Sequence, residues 1–357
     1  MQFKLNELDT KKFEKLLDQK EKNIFIASLV NEIISSQDRY FNQQNINNSI
    51  TTLSNLYLND LEEINVFKDQ IELSKLEIKD YINNPYINKI NKITINKNNY
   101  HLKLNKYKPF ELFISDEIKI DDKNFYKEYT NIGYFNKDFS YLSLDYKNDV
   151  WMLISPNEIN TMKKHIELAH GNILTFGLGL GYFQYMASIK NNINKIYIIE
   201  KDATIIDIFN KEILPQFENK DKIVIIQDDA YNFIKNKMDS IKFDYAFIDL
   251  YHNPNDGLEF YLTFKSIENK YKNVTFSYWL DTSLMALVRR IMLSLLIEQY
   301  ERLPSKYYNK EENIEDKLIN YFYYKTKDLT INSFKDILNL ITDESLNNLL
   351  KTFIFNK

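Results

Sequence analysis

Apolar and polar positions follow three different rhythms along the chain. Over residues 1–85 the apolar positions recur at helical spacing, with Phe13, Leu16 and Leu17, then Ile24 to Ile34, then Leu61 to Ile82. That spacing predicts a helical N-terminal module. Asn83-Asn84-Pro85 interrupts it, and from Ile93 to Leu144 apolar residues tend to alternate with polar ones, as in Tyr100-His-Leu-Lys-Leu and Phe139-Ser-Tyr-Leu-Ser-Leu. Residues 86–150 therefore read as short antiparallel strands. The density of Tyr and Phe there fits a packed β surface better than a ligand cage.

A third rhythm begins at residue 151. Ser155-Pro156-Asn157-Glu158 is a helix start, with Ser as cap, Pro at the first helical position and Glu placed to complete a capping box. The helix is predicted to run to about Ala169, with Gly171 ending it. Strands then alternate with helices: Ile173 to Phe176, Ile196 to Glu200, Ile223 to Gln227, Tyr245 to Asp249 and Val274 to Trp279. Over residues 151–281 this predicts an α/β, Rossmann-like, doubly wound and mostly parallel sheet with helices on both faces. Its ligand crevice would lie at the carboxyl ends of the strands. A long amphipathic helix from Thr282 to about Tyr300 and a mostly helical tail through Leu338 to Phe355 complete residues 282–357.

The junction after the first of these strands carries the chemistry. Ile173-Leu-Thr-Phe-Gly177-Leu-Gly179-Leu-Gly181-Tyr182-Phe183 runs an apolar strand into three alternating glycines and then a helix. Glycines in such a turn permit a tight reversal, close approach of backbone to ligand, and close packing of helix on strand. Tyr182 stands where a dinucleotide fingerprint would still be spacing toward its last glycine, so a nucleoside without a pyrophosphate fits better than NAD. Nineteen residues past Gly181, Glu200 ends the second strand, where a carboxylate can accept hydrogen bonds from both ribose hydroxyls.

Composition narrows the options. The 357 residues suffice for a sizeable core with one or two appendages. Lys and Arg number 46 against 50 Asp and Glu, a formal net charge of -4, so no strong electrostatic footprint for nucleic acid or anionic membrane is present. Arg occurs only at 39, 289, 290 and 302, which reads as compositional drift. The absence of cysteine excludes disulfides, thiolate metal sites and cysteine nucleophiles, and it fits a reducing compartment. Met1-Gln-Phe-Lys-Leu-Asn-Glu lacks an apolar leader core, and Arg289 and Arg290 interrupt the longest apolar stretch near the C-terminus. A soluble, cytoplasmic protein is expected.

Residues 151–280 resemble the class I S-adenosylmethionine-dependent methyltransferases, within the branch similar to spermidine synthases. The resemblance implies that Gly177, Gly179 and Gly181 pack against the methionine part of that cofactor, with Tyr182 close enough to touch it. It implies that Glu200, beside Lys201, holds the ribose. Asp229-Ala230 matches the pair whose carboxylate accepts from the adenine amino group and whose next backbone N–H meets the ring, with Asp228 as the competing carboxylate. Asp249 matches the acidic residue beside the reacting centre. Where spermidine synthases carry Asp-Ser-Ser-Asp-Pro, this chain has Asp249-Leu250-Tyr251-His252-Asn253-Pro254, so that His252 replaces the second Asp. The sheet-completing hairpin of that branch is not recognisable in the tail, where helices replace it. The His252 substitution favours methyl transfer over aminopropyl transfer.

Methyl transfer from a sulfonium needs positioning and exclusion of water but no metal. An amine or hydroxyl acceptor must lose a proton, for which His252 and Asp249 are the local candidates. Tyr251 and Trp279 are candidates to present aromatic faces to a sulfonium or a cationic substrate. His165 and His170, flanking the capped helix, are expected at the surface; His101 has no partner suggested by spacing. Asp229 can also cap the helix from Tyr231 onward, and Tyr182 and Phe183 are expected to pack the first helix on the sheet. Asn253-Pro254-Asn255-Asp256 departs from the Asn-Pro-Pro-Tyr motif of base-flipping adenine methylation, so a small-molecule or amine acceptor is preferred to nucleic acid. The sequence leaves room for a homodimer. It also leaves three alternatives: an aminopropyltransferase, a NAD-dependent oxidoreductase, and a non-catalytic nucleoside-binding scaffold.

Overall fold

In the computed structural model, residues 1–36, 48–58, 60–90, 94–147, 149–302 and 313–353 are described. Arg39, Ile93 and Phe355, which mark a charge and two expected element ends, lie outside them.

Five strands form one all-parallel sheet: Gly171–Phe176, Ile193–Glu200, Ile223–Gln227, Tyr245–Ile248 and Thr275–Tyr278. In spatial order they run third, second, first, fourth, fifth. Strand order reverses beside the first strand, the place at whose carboxyl ends sheets of this kind bind their ligands. Alternate side chains of a strand point to opposite faces, and both faces are covered. Phe176 meets Phe233 and Phe264, from helices Ala230–Asn236 and Pro254–Ile267. Thr175 turns the other way and accepts from Gln184 of helix Tyr182–Ser188, and Phe247, in register with Thr175, stacks on Phe183 at 4.2 Å. Strands buried on both sides need the continuous apolar runs seen in the sequence.

Helix Pro156–Leu168 begins as expected, with Ser155 Oγ accepting from the Glu158 N–H at 3.4 Å. The capping box does not close, because the Glu158 side chain makes no bond back to the Ser155 N–H. His165 is the second correction. Rather than lying at the surface it is buried, with Nδ1 2.5 Å from Ser277 Oγ and its carbonyl accepting from Tyr245 Oη at 3.0 Å. The reason is helical periodicity: Thr161, four residues earlier, accepts from Trp279 Nε1 on the same sheet-facing side. His170 is exposed.

Among the described residues, the N-terminal region departs from the helical expectation at Gln2–Phe3 and at Ile71–Lys75, both strands. Glu7–Ser35 is a single long helix, followed by Ser49–Tyr57 and Leu61–Gln70, but Ile71–Lys75 is a strand paired in parallel with Lys127–Tyr134. Five residues with apolar side chains at Ile71 and Leu73 satisfy either periodicity, and a partner strand far along the chain decides between them. Beyond it, Ile95–Lys97, Tyr100–Tyr107, Phe139–Tyr146 and Asp149–Leu153 form an antiparallel sheet, as the alternation predicts.

Helix Asp281–Tyr300 follows the last core strand and binds the N-terminal region to the tail. Arg289 is buried, donates to the Ile341 carbonyl at 3.0 Å, pairs with Asp343 and lies 4.3 Å from the centre of the Tyr126 ring. Arg290 pairs with Glu128. Helices Ile314–Thr326, Phe334–Ile341 and Asp343–Leu350 make up the tail, and Thr330–Ile331 pairs with Gln2–Phe3. No helix among the described residues is long and apolar enough to cross a membrane.

Candidate functional site

The three turn glycines all have positive φ, at 97°, 54° and 77°, but their surroundings differ. A Cβ on Gly177 would overlap the Asp249 carbonyl oxygen, and one on Gly181 would enter the Phe209 ring. A Cβ on Gly179 would meet no atom within 4 Å. Gly177 and Gly181 therefore close the turn onto the protein, while Gly179 presents bare backbone to open space. That open cradle is where a ligand can approach the chain closely.

Glu200 stands beside it, half-buried at the tip of the second strand. Its Oε2 accepts from the Leu178 N–H at 3.2 Å and its Oε1 from the Asp202 N–H at 2.8 Å. One carboxylate thus fixes the glycine turn and the start of helix Ala203–Ile208, and each oxygen retains acceptor capacity for a hydroxyl. Lys201 is exposed. Asp229 caps helix Ala230–Asn236, its Oδ1 accepting from Tyr231 N–H at 3.0 Å and Asn232 N–H at 3.1 Å, and the side chain is exposed at the third strand's end. Asp228 is committed otherwise. It pairs with Lys237 at 2.7 Å and accepts from Asn232 Nδ2 at 2.6 Å, and these bonds hold its carboxyl below the usual range. Of the two carboxylates, Asp229 is the freer for a ligand. Ala230 is buried as the first residue of its helix.

Asp249 follows the fourth strand directly, with its N–H donating to the Phe176 carbonyl at 2.9 Å. Burial pushes its carboxyl up to about 7. Glu158 is its electrostatic neighbour, and burial first, then the Asp249 charge, raises the Glu158 carboxyl well above the ordinary range. Tyr182 joins them at the first turn of the helix after the glycines. Its hydroxyl accepts from Asn84 Nδ2 at 2.8 Å and is pushed up to about 12, chiefly by burial.

The loop beyond Asp249 divides its residues. Tyr251 is buried, donates its hydroxyl to the Trp279 carbonyl and lies with its ring 5.9 Å from that of Trp279. These two aromatics face each other. His252 is exposed, its Nδ1 3.2 Å from Asp256 Oδ2 and its ring edge-on to Trp151 at 4.9 Å. Asp249 lies against the glycine turn, whereas His252 lies toward the outer rim with Trp151.

Sequence reasoning missed the contribution of the N-terminal region. Tyr86 Oη donates to the Leu180 carbonyl inside the glycine turn, and its ring meets Tyr182 and Tyr185 edge-on. Asn84 joins two elements, accepting from Tyr86 N–H at 2.9 Å while donating to Tyr182. Tyr100 donates to Asp202 Oδ2 at 2.7 Å. The partners are 94, 98 and 102 residues apart, so no local pattern could have announced them. The one available sign was Asn84-Pro85, a cap and first-turn pair.

No family model matches the chain, and no curated protein matches it. Among solved structures, the chain is similar in part to the spermidine synthase from Thermotoga maritima. The match has 16% identity and a TM-score of 0.28, and it covers 43% of this chain and 59% of that one. A likeness of that extent does not carry that protein's activity over to this chain.

Proposed function

We propose that the chain is an S-adenosylmethionine-dependent transferase that methylates an amine nitrogen of a small molecule. The observation that carries this reading is the open backbone of Gly179, in a turn whose Leu178 N–H donates to the Glu200 carboxylate and whose Gly177 lies against the Asp249 backbone. The cofactor would supply a methyl carbon on a sulfonium, whose C–S bond breaks as the bond to the acceptor forms. Glu200 would hold the ribose hydroxyls, and Asp229 with the Ala230 N–H would hold the adenine. Gly179 would let the backbone approach the ligand. Asp249 and the groups around it would take the acceptor's proton and favour a basic nitrogen over a neutral carbon nucleophile.

The test is calorimetric titration with S-adenosylmethionine, S-adenosylhomocysteine and NAD, repeated on Glu200→Ala and Asp229→Ala. Saturable binding of the first two ligands, weakened at least about tenfold by either substitution, supports the reading. Binding of NAD alone, or of none of the three, removes it. Turnover of an amine with the decarboxylated cofactor but not with S-adenosylmethionine would change the transferred group to aminopropyl.

A further inference from the structure

We infer that Glu158 is a second catalytic carboxyl, paired with Asp249 at the reacting centre, and that the two together hold one proton in the free protein, lose it when a sulfonium binds and regain one from the acceptor nitrogen. This rests on the proposed transferase reading. It assigns a catalytic role to a residue whose spacing suggested only a helix cap.

The placement follows from three contacts. Thr161 accepts from Trp279 Nε1 at 3.0 Å, which seats the first turns of helix Pro156–Leu168 on the end of the fifth strand. The Trp279 N–H donates to the Ile248 carbonyl at 3.0 Å, so that seat adjoins the end of the fourth strand, where Asp249 follows. Glu158 lies three residues before Thr161, on the same helix face; since His165 meets Ser277 and Thr161 meets Trp279, it stands about one turn further past the strand's carboxyl end, where its carboxyl feels the Asp249 charge. Both side chains are half-buried, and among the described residues neither carboxyl has a hydrogen-bond or ion-pair partner.

The surroundings reinforce the pairing. Tyr182, from the helix after the glycines, is the further titratable neighbour of Glu158. Tyr251 is within reach of the charges of Asp249, Asp281, Glu117 and Asp256, all carboxyls. No Lys or Arg side chain is among the groups that shift Glu158 or Asp249. Two close carboxyls in poor solvent without a counter-charge cannot both ionise readily, so one proton is retained between them. Binding of a sulfonium drives that proton off to water and leaves an ionised carboxylate facing the acceptor. As the nitrogen's lone pair forms the new bond to carbon, its proton passes to that carboxylate, and the N–H electron pair stays on nitrogen. The pair thereby returns to its singly protonated state for the next cycle.

A positive sulfonium beside such a pair should expel the shared proton, whereas a neutral thioether should not. Calorimetry at pH 7 in buffers of different ionisation enthalpy counts protons released on binding S-adenosylmethionine and S-adenosylhomocysteine. The wild type should release roughly half a proton to one proton more with the sulfonium. In both Glu158→Gln and Asp249→Asn that difference should fall to a small residue, the second variant guarding against a folding defect in the first. Equal proton counts for the two ligands in the wild type, or an undiminished difference in the folded variants, would overturn the pairing while leaving cofactor binding intact. Failure of either ligand to bind wild type would instead remove the transferase reading, and the pairing with it.

Discussion

The carboxylate of Glu117 accepts from the backbone N–H of Ser283 at 2.7 Å, across 166 residues of chain. It supplies a cap that the local sequence cannot. Helix Asp281–Tyr300 is preceded by Leu280, which has no polar side chain and adopts φ of 54°. A helix start needs its first amides satisfied, and here the acceptor comes from the N-terminal β-rich region.

Loss of this remote cap should be measurable without touching ligand. Glu117→Ala should lower the unfolding free energy by about 1–2 kcal/mol, and Glu117→Gln, which retains a carbonyl acceptor, by less. Urea unfolding with an unchanged m-value is the check. Equal loss in both variants would mean that the charge, not the hydrogen bond, is what stabilises.

The glycines should separate structure from binding. Gly177→Ala forces a Cβ into the Asp249 carbonyl and should destabilise by roughly 3 kcal/mol or more. Gly179→Ala meets no atom and should cost only about 1–2 kcal/mol for its left-handed backbone, yet abolish S-adenosylmethionine binding because the methyl fills the cradle. Thermal melts and titration of the same samples distinguish the two effects. Undiminished binding by Gly179→Ala would place the ligand elsewhere.

Asp249 predicts a stability slope in one pH window. Its folded carboxyl is raised to about 7 by burial, whereas in the unfolded chain it ionises near 4. Below pH ~4 it is protonated in both states and costs nothing. Between about 4 and 7 the unfolded chain gives up the proton first, so stability falls as pH rises, by up to roughly 4 kcal/mol before screening by solvent. Asp249→Asn should match wild type near pH 4 and exceed it near pH 8. A parallel pair of stability curves would refute the buried, raised carboxyl.

His165 works in the opposite direction. Burial, with a smaller effect from Lys164, lowers its imidazolium pKa to about 4. As pH falls from about 6.5 to 4, the unfolded chain takes up a proton that the folded one resists, and stability falls by up to roughly 3 kcal/mol. His165→Gln should flatten this acid limb, most clearly in an Asp249→Asn background where the opposing slope is absent. An unchanged limb would mean that other groups set the acid sensitivity.

Tyr86 links the N-terminal region to the turn. Tyr86→Phe should leave the buried Leu180 carbonyl without its donor and cost about 1–3 kcal/mol. It should also weaken S-adenosylmethionine binding several-fold by loosening the glycine turn. Stability loss with unaltered affinity would confine Tyr86 to a packing role.

Much of the α/β core was legible because its signals are local. Apolar runs of strand length, the Gly177-Leu-Gly179-Leu-Gly181 turn and the Ser155-Pro156 helix start each act within a turn or two of chain, and each formed where its pattern lies. Glu200 at its strand tip and Asp229 as a helix cap were likewise readable from position alone. Tertiary structure decided the rest, because a side chain's partner across a sheet depends on which face it takes and what packs there. It left Glu158 out of its own capping box, within reach of the Asp249 charge, and buried His165 against Ser277. It also paired Ile71–Lys75 with Lys127–Tyr134, and brought Tyr86 to the glycine turn and Glu117 to Ser283. Those contacts join segments many tens of residues apart, where neither periodicity nor spacing reaches.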